Sequence, residues 1–445
     1  MEELFEKEPI PRAYFKLALP VVLGMVASMI YNLADTYFVS QTQNTALVAG
    51  VALCTPLFSF LIAVGDIFGL GGSSLISRLL GEKDFQTAKR VSSFCLYGAI
   101  VVGLLVTVFL LAFTRPILMM FGATSTTYHY TEQFYRIMSL GAMPIMVSIV
   151  SGNLIRTEGF ATQSMIGTMV GTVVTIILDP LLIFSAGMGA AGAALATIIG
   201  YSLSAILLLW LTACYCQVVT IDGRQSHINR YLLRQVLLIG IPGSITNLMQ
   251  AFGTAVLNRY LVNFGPTRVA AMGIVLKVYL VIMLVMIGFA FGAQPLIGYT
   301  YGAKNQKRFN QVLRFDLLVE VGYALVVAIL LMVFAPSLIG LFLHNQAVMT
   351  AGTYMLRTFL VTTPFVGVVL VYTTVFQSTG KALAALLMSI SRQGVVFYLF
   401  VAVGAELLGY HGIIWAQPAA DVVTGLLGWL LARTTFKHRW GEEKD

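Results

Sequence analysis

The chain alternates long apolar stretches with short polar ones along its whole length. Each apolar stretch reaches or exceeds the roughly 20 residues that cross a bilayer as a helix. Backbone groups cannot stay unpaired in lipid, and the stretches are far too long for barrel strands, so we predict that each is a helix. Twelve such stretches are predicted, near residues 14–40, 48–79, 91–114, 133–155, 162–187, 189–214, 232–263, 271–301, 311–335, 350–378, 383–406 and 411–433. The pattern therefore predicts an all-α integral membrane protein with twelve transmembrane helices.

Composition narrows the class of protein further. Hydrophobic residues make up 58% of the 445 residues and charged residues only 10%, and the mean hydropathy is +0.86. Soluble domains carry about 25% charged residues, so the composition excludes a water-soluble fold. The cysteines have no paired spacing, and we interpret them as reduced and structural: Cys54, Cys95, Cys214 and Cys216.

The net charge of +8 comes from basic residues in alternate loops. The basic loops contain Lys7, Arg12 and Lys16; Lys83, Lys89 and Arg90; Arg224, Arg230 and Arg234; Lys304, Lys307, Arg308 and Arg314; and Lys437 and Arg439. The loops between them, such as 41–47 and 185–189, are almost free of lysine and arginine. The positive-inside rule then predicts a multi-pass protein of the inner (cytoplasmic) membrane with both termini in the cytoplasm. The acidic, polar N-terminus does not fit a cleaved signal peptide, and the charge pattern gives no reason to expect a nucleic-acid partner.

The sequence also repeats itself at an offset of about 221 residues. The segment Leu-Ala-Leu-Pro ending at Pro20 matches Ile-Gly-Ile-Pro ending at Pro242, and further matching pairs are Gly81 with Gly302, Pro116 with Pro336, Pro144 with Pro364, and Gly159 with Gly380. Six spans per repeat is an even number, so both halves enter the membrane in the same orientation. We therefore predict two six-helix lobes related by a pseudo-two-fold axis along the membrane normal.

The repeat also sets the expected domain boundaries. Residues 1–216 form the first lobe, 217–231 a cytoplasmic linker, and 232–445 the second lobe, which ends in a short tail of basic and acidic residues. Pro20 and Pro242 fall inside the first helix of each lobe, where a missing N–H group and a ring clash favour bending.

Charged residues inside predicted spans are costly, at about 2.5–3.5 kcal/mol by insertion scales, and each needs a reason. Asp35 and Asp179 are both predicted roughly 8–12 Å below the outer surface, and Thr197 falls at the same depth. Asn32 and Thr175 lie one turn deeper on the same helix faces. Carboxylate, amide and hydroxyl oxygens suit a hard cation, and two carboxylates in a low dielectric also favour binding of a proton. The sequence thus predicts a site for H⁺ or Na⁺ in the outer half of the first lobe, with no structural metal.

An alternative is that both acids only cap or hydrogen-bond neighbouring helices. The repeat argues against it, because Asp35 aligns with Asn258, and Asp179 aligns with Leu399 or Phe400. The second lobe keeps the framework without the acids, so the acids are not needed to build a lobe.

The other intramembrane charges and polar groups suggest packing or a substrate cleft. Arg392 and Asp421, with Glu320 nearby, are predicted to form structural ion pairs. Asp66 either meets a cationic substrate or bonds across helices. The predicted cleft residues are Asp66, Gln250, Gln294, Met25, Met29, Met249, Met283 and Lys277. Methionines suit a promiscuous surface, although a methionine in a helix is more often only packing.

The chain resembles the MATE (multidrug and toxic compound extrusion) transporters along essentially its whole length, and within them the DinF-like branch. The resemblance rests on the segments 34–38 (ADTYF), 76–81 (ISRLLG), 178–184 (LDPLLIF) and 192–197 (GAALAT). It implies rocker-switch alternating access, export driven by H⁺ or Na⁺, and a cation site at Asp35 and Asp179 with Thr197 as a further ligand. That branch often has asparagine where this chain has Thr175. The acids in helices 7 and 10 of the NorM-like branch are missing here.

We therefore expect a secondary antiporter, not an enzyme, that exports amphipathic and often cationic organic compounds and works without a cofactor as a monomer. A lipid-linked oligosaccharide flippase of the same superfamily is the first alternative. It is disfavoured because few lysines or arginines reach the middle of the membrane. An ion channel or membrane enzyme is the second, and neither a filter-like loop nor a catalytic motif supports it.

Overall fold

The structure, a computed structural model, describes residues 3–342 and 345–441, with side chains as far as Phe436. The C-terminal tail predicted from the sequence therefore lies outside the described side chains. The first half contains α1 (Ile10–Gln41), α2 (Thr45–Ala52), α3 (Thr55–Gly81), α4 (Phe85–Ala112), α5 (Thr114–Met120), α6 (Tyr128–Leu140), α7 (Ala142–Thr157), α8 (Ala161–Pro180) and α9 (Ala190–Tyr215). The second half contains α10 (Arg230–Leu261), α11 (Pro266–Gly302), α12 (Gln306–Phe342), α13 (Gln346–Val361), α14 (Thr363–Ser378), α15 (Ala382–Gln393), α16 (Val395–Leu408) and α17 (Tyr410–Gly441).

The number of spans agrees with the sequence prediction. Among the described residues, ten helical segments are long and apolar enough to cross a membrane, or twelve when each of two bent pairs counts as one span. The polar residues between spans often cap the helix that follows, because a side-chain oxygen accepts a hydrogen bond from a free N–H group of the first turn. These caps are Asn44 for α2, Asp84 for α4, Asn229 for α10 and Asn345 for α13.

The two halves fold alike, as the sequence repeat predicts. At an offset of about 221 residues, α1 matches α10, α2 with α3 matches α11, and α4 with α5 matches α12. The bent pairs α6–α7 and α13–α14 match each other, with bends of 51° and 48°. The protein is thus an all-α membrane protein built from two six-helix lobes.

Two sharp bends lie next to prolines other than Pro20 and Pro242. Helices α1 and α10 run without a break through Pro20 and Pro242. The bends of more than 40° fall next to Pro144 and Pro364, which lie in the first turn of α7 and α14. A proline is tolerated in the first turn of a helix, where its missing N–H group has no partner to lose.

The lobes contact each other on the side where the linker runs, which we call the linker side, and the opposite side is called the far side. Helix α1 packs on α11 of the second lobe, and α10 packs on α3 of the first. Gly302 lets α11 approach α3 closely, since a Cβ atom at this position would lie 2.0 Å from the carbonyl oxygen of Arg78. The Tyr14 hydroxyl donates to Asp316 across the junction at 2.7 Å.

A short N-terminal segment, Glu3–Lys7, covers this junction. Phe5 is completely buried and stacks on Tyr299 of α11, with ring centroids 4.8 Å apart. Arg308 of the second lobe donates to the carbonyl oxygens of Phe5 and Glu8 at 2.5 and 2.8 Å. The segment therefore ties the start of the first lobe to the second lobe on the linker side.

Candidate functional site

The end of α8 places Asp179 inside the first lobe. Asp179 is completely buried, and neither of its carboxylate oxygens has a hydrogen-bond partner among the described residues. Pro180 follows directly and ends the α-helix, and residues Leu181–Ser185 continue as a π-helical turn. Such turns are uncommon and occur often at functional sites. The end of α8 therefore places a buried carboxylate without hydrogen-bond donors near the far side of the protein.

Helix α8, which carries Asp179, packs closely against α9, and each of the two helices carries a buried hydroxyl group. A Cβ atom at Gly200 would lie 1.9 Å from the Thr175 hydroxyl oxygen, so only glycine allows this approach. Thr175 and Thr197 are both buried. Each donates its proton to a carbonyl of its own helix, at 2.9 Å to Gly171 and at 3.1 Å to Ala193. Their oxygens therefore keep lone pairs for a further ligand.

Helix α1 supplies the second carboxylate. Asp35 lies near the end of α1, close enough to Asp179 for the two charges to interact. One of its oxygens, Oδ1, is buried without a hydrogen-bond partner in the described part of the chain. One turn earlier, Tyr31 lies 3.0 Å from the Thr197 hydroxyl, and because Thr197 donates to Ala193, Tyr31 is the donor. We call this group of residues on α1, α8 and α9 the carboxylate cluster: Asp35, Asp179, Thr175, Thr197 and Tyr31.

The carboxylate cluster suits a hard cation or a proton. Buried carboxylate oxygens without donors are costly unless a proton or cation neutralises them. Two carboxylates and two hydroxyls with free lone pairs supply the oxygen ligands that such cations prefer.

The structure does not bring all five predicted ligands together. Asn32 is exposed, and its amide donates to Ser28 of its own helix at 2.8 Å. Tyr31, and not Asn32, is the residue of α1 that contacts Thr197 one turn before Asp35. The i, i+4 spacing of Tyr31 and Asp35 was a signal for it, but the hydrophobic pattern alone does not separate this tyrosine from others in the spans.

Asp66 bonds across the lobe junction. Its carboxylate accepts a hydrogen bond from the Asn247 amide of α10 at 3.1 Å, and the Arg156 guanidinium is near enough for the charges to interact. Of the two alternatives left open by the sequence, the structure has the inter-helix bond. Arg156 and Asn247 were not predicted from the sequence as neighbours of Asp66.

The structure pairs Arg392 with Asp421 but leaves Glu320 elsewhere. The Arg392 Nε lies 3.0 Å from Asp421 Oδ1, with the side chains 11% and 1% exposed. The grouping of Glu320 with this pair was wrong. Glu320 is buried beside Asp316, one turn away on α12, and faces α11 near Ala290.

Replacing Arg392 with glutamine should destabilise the protein substantially. The change leaves a buried carboxylate without its cation, which costs about 3–5 kcal/mol. Thermal unfolding in detergent measures the effect. The matched control is Arg136→Gln in the exposed pair with Glu132, where Arg136 is 61% exposed and a loss below about 1 kcal/mol is expected. Equal effects of both substitutions would contradict a stabilising role for the buried pair.

The second lobe contains a cavity of about 260 Å³ between α10, α11 and the helices behind them. Of the predicted cleft residues, Gln250, Lys277 and Met283 line it. Gln294 is instead buried within α11, and Met249 packs near Gly394. Met25 and Met29 are half-buried on α1. We call this cavity the second-lobe cavity; its residues are Gln250, Gly253, Thr254, Leu257, Leu276, Lys277, Tyr279, Leu280, Met283, Phe359, Arg392, Gln393, Phe397 and Gln417.

Comparison with known proteins agrees with this architecture. The MatE family model matches twice, over residues 20–181 and 242–403, once in each lobe. The chain is 30% identical over 428 residues to the multidrug export protein MepA of Staphylococcus aureus strain MRSA252, covering 96% of this chain and 94% of that protein. It is 27% identical to the protein of the same name from Staphylococcus saprophyticus, with the same coverage. An outward-facing structure of a multidrug resistance MATE family transporter of the MOP superfamily is 25% identical and superposes with a TM-score of 0.92 over 98% of both chains. The chain therefore belongs to the MatE family of MATE transporters.

Proposed function

We propose that the protein is a secondary antiporter that exports amphipathic organic compounds, cationic ones among them, in exchange for H⁺ or Na⁺. The observation that carries the proposal is the carboxylate cluster, whose buried carboxylate oxygens have no donors in the described part of the chain. The names of its relatives, which are multidrug export proteins, support the export of small molecules.

The orientation of the protein in the membrane follows from the charges of its loops. The basic loops lie on the linker side, so the positive-inside rule places that side and both termini in the cytoplasm. The carboxylate cluster and the second-lobe cavity then lie toward the outside. The described arrangement, with the lobes in contact on the linker side, corresponds to a state open to the outside.

Helix α1 connects the ion site to the junction between the lobes. It carries Asp35 near one end and Tyr14, the donor to Asp316, near the other. Binding of a cation or proton at Asp35 and Asp179 removes the repulsion between the two carboxylates and allows α1 to change its bend near Pro20. Such a change shifts the junction that α1 helps to close, which is how a rocker switch couples the ion to the substrate.

Transport by the purified protein in liposomes tests the proposal. An inward pH gradient and an inward Na⁺ gradient are applied separately, and the efflux of a fluorescent cationic dye is followed. Saturable efflux driven by either gradient supports the antiporter. Dye movement that ignores both gradients, or that does not saturate, would contradict it and favour a channel.

A further inference from the structure

We propose that the second-lobe cavity binds amphipathic organic molecules that carry an anionic group, a carboxylate, and that Lys277 holds this group. The proposal names a substrate class and rests on the proposed export function for its biological use. The binding itself can be tested without transport.

The lining of the cavity is suited to an aromatic or aliphatic body with a small polar end. Apolar walls come from Leu257, Leu276, Leu280, Phe359 and Phe397. Glutamine amides border these walls at positions 250, 393 and 417. A mostly apolar pocket with a few polar groups is the usual form of a site for a small organic molecule.

The charges around the cavity favour an anion. Arg392 lies at the wall, but its charge is matched by Asp421 at 3.0 Å. Lys277 is exposed to the cavity and forms no ion pair within residues 3–342 and 345–436. No aspartate or glutamate is among the residues that line this cavity. The ammonium group of Lys277 is therefore the unbalanced charge among the residues that line the cavity.

The carboxylate cluster and the second-lobe cavity thus differ in the sign of their charge. The carboxylate cluster in the first lobe attracts cations, whereas Lys277 in the second lobe attracts anions. The sequence repeat makes the contrast sharper, because the second lobe lacks the counterparts of Asp35 and Asp179 and carries Lys277 in its cavity. A molecule with a carboxylate therefore binds in the second lobe without competing directly with the coupling ion.

The test uses three dansyl probes that share one fluorescent body and differ in charge: dansylglycine, with a carboxylate, dansylamide, which is neutral, and dansylcholine, which is cationic. Binding to the full-length protein in detergent is measured from the rise in dansyl fluorescence. We expect dansylglycine to bind more tightly than dansylamide, and Lys277→Gln to weaken dansylglycine about tenfold. Lys277→Glu should reverse the order of dansylglycine and dansylcholine.

The controls separate a local charge from general effects. Arg259→Gln removes a positive charge from the far end of α10, outside the cavity lining, and should change dansylglycine binding less than about twofold. Unchanged dansylamide binding shows that the Lys277 variants keep the cavity intact. The proposal is overturned if dansylglycine binds the unmodified protein no better than dansylamide, or if Lys277→Gln leaves its affinity unchanged. Failure of gradient-driven efflux with normal probe binding would instead contradict the antiporter.

Discussion

Replacement of Asp35 with asparagine is expected to abolish ion-driven export while the protein stays folded. Asparagine has nearly the size of aspartate but can neither take up a proton nor balance a cation. The cluster then has a single carboxylate, Asp179. The repulsion between two carboxylates, which a bound ion would relieve, no longer exists in this variant. Dye efflux from liposomes under a pH or Na⁺ gradient should fall to the level of liposomes without protein.

Two controls separate lost coupling from lost folding. Exchange of labelled for unlabelled dye across liposomes without any ion gradient should persist in Asp35→Asn, since the substrate cleft is intact. Glu132→Gln removes a carboxylate from the first lobe at a partly exposed ion pair and should leave export near the unmodified rate. Full gradient-driven export by Asp35→Asn would show that the carboxylate cluster does not couple ion to substrate.

Asp35 and Asp179 could be selected from the sequence for two physical reasons. A charge inside a membrane is costly, which makes every such residue conspicuous, and the second lobe provided a comparison in which both acids are absent. The depth of both acids in the membrane was predicted by counting residues from the helix ends. The structure adds two contacts that depth cannot give: the close approach of Thr175 on α8 to Gly200 on α9, and the contact of Tyr31 on α1 with Thr197 on α9 at 3.0 Å.

The direction in which a helix face points could not be predicted from depth. Tyr31 and Asn32 both have helical spacing to Asp35, yet packing turns Tyr31 toward Thr197 and Asn32 away. Glu320 was grouped with Arg392 and Asp421, whereas α12 turns its acids toward α1 and α11.

The contacts of the N-terminal segment could not be predicted from the sequence either. Its acidic composition predicted a polar tail, but Phe5 is completely buried, with its ring stacked on Tyr299 of the second lobe and next to Gly159 of the first. Contacts between segments about 300 residues apart leave no periodic signal in the chain, and the same is true of the Arg308 bonds to Phe5 and Glu8.

The second large effect is expected at Gly302, where replacement by valine should strongly reduce transport by holding the lobes apart on the linker side. A Cβ atom there would lie 2.0 Å from the backbone oxygen of Arg78, against 3.4–4 Å for an ordinary contact. A backbone oxygen in a helix cannot swing aside as a side chain can, so the two helices must separate. Overpacking of this kind costs about 1–3 kcal/mol, which lowers the population of the closed state about 5- to 150-fold. Export should fall to a similar degree.

Gly322→Val is the matched control, because it makes the same change inside helix α12 at a position where a Cβ atom would have nothing within 4 Å. Valine also has a better helix propensity than glycine, so a loss confined to Gly302→Val cannot come from the helix itself.

Spin labels at Arg90 and Arg314, which are exposed on α4 and α12 in different lobes, report the opening as a longer distance on the linker side. These labels require prior replacement of Cys214 and Cys216. If Gly302→Val transports normally with an unchanged label distance, the close approach of α3 and α11 is not needed in the cycle. If the distance grows while transport falls, alternation between the two states depends on the close approach of α3 and α11 at Gly302.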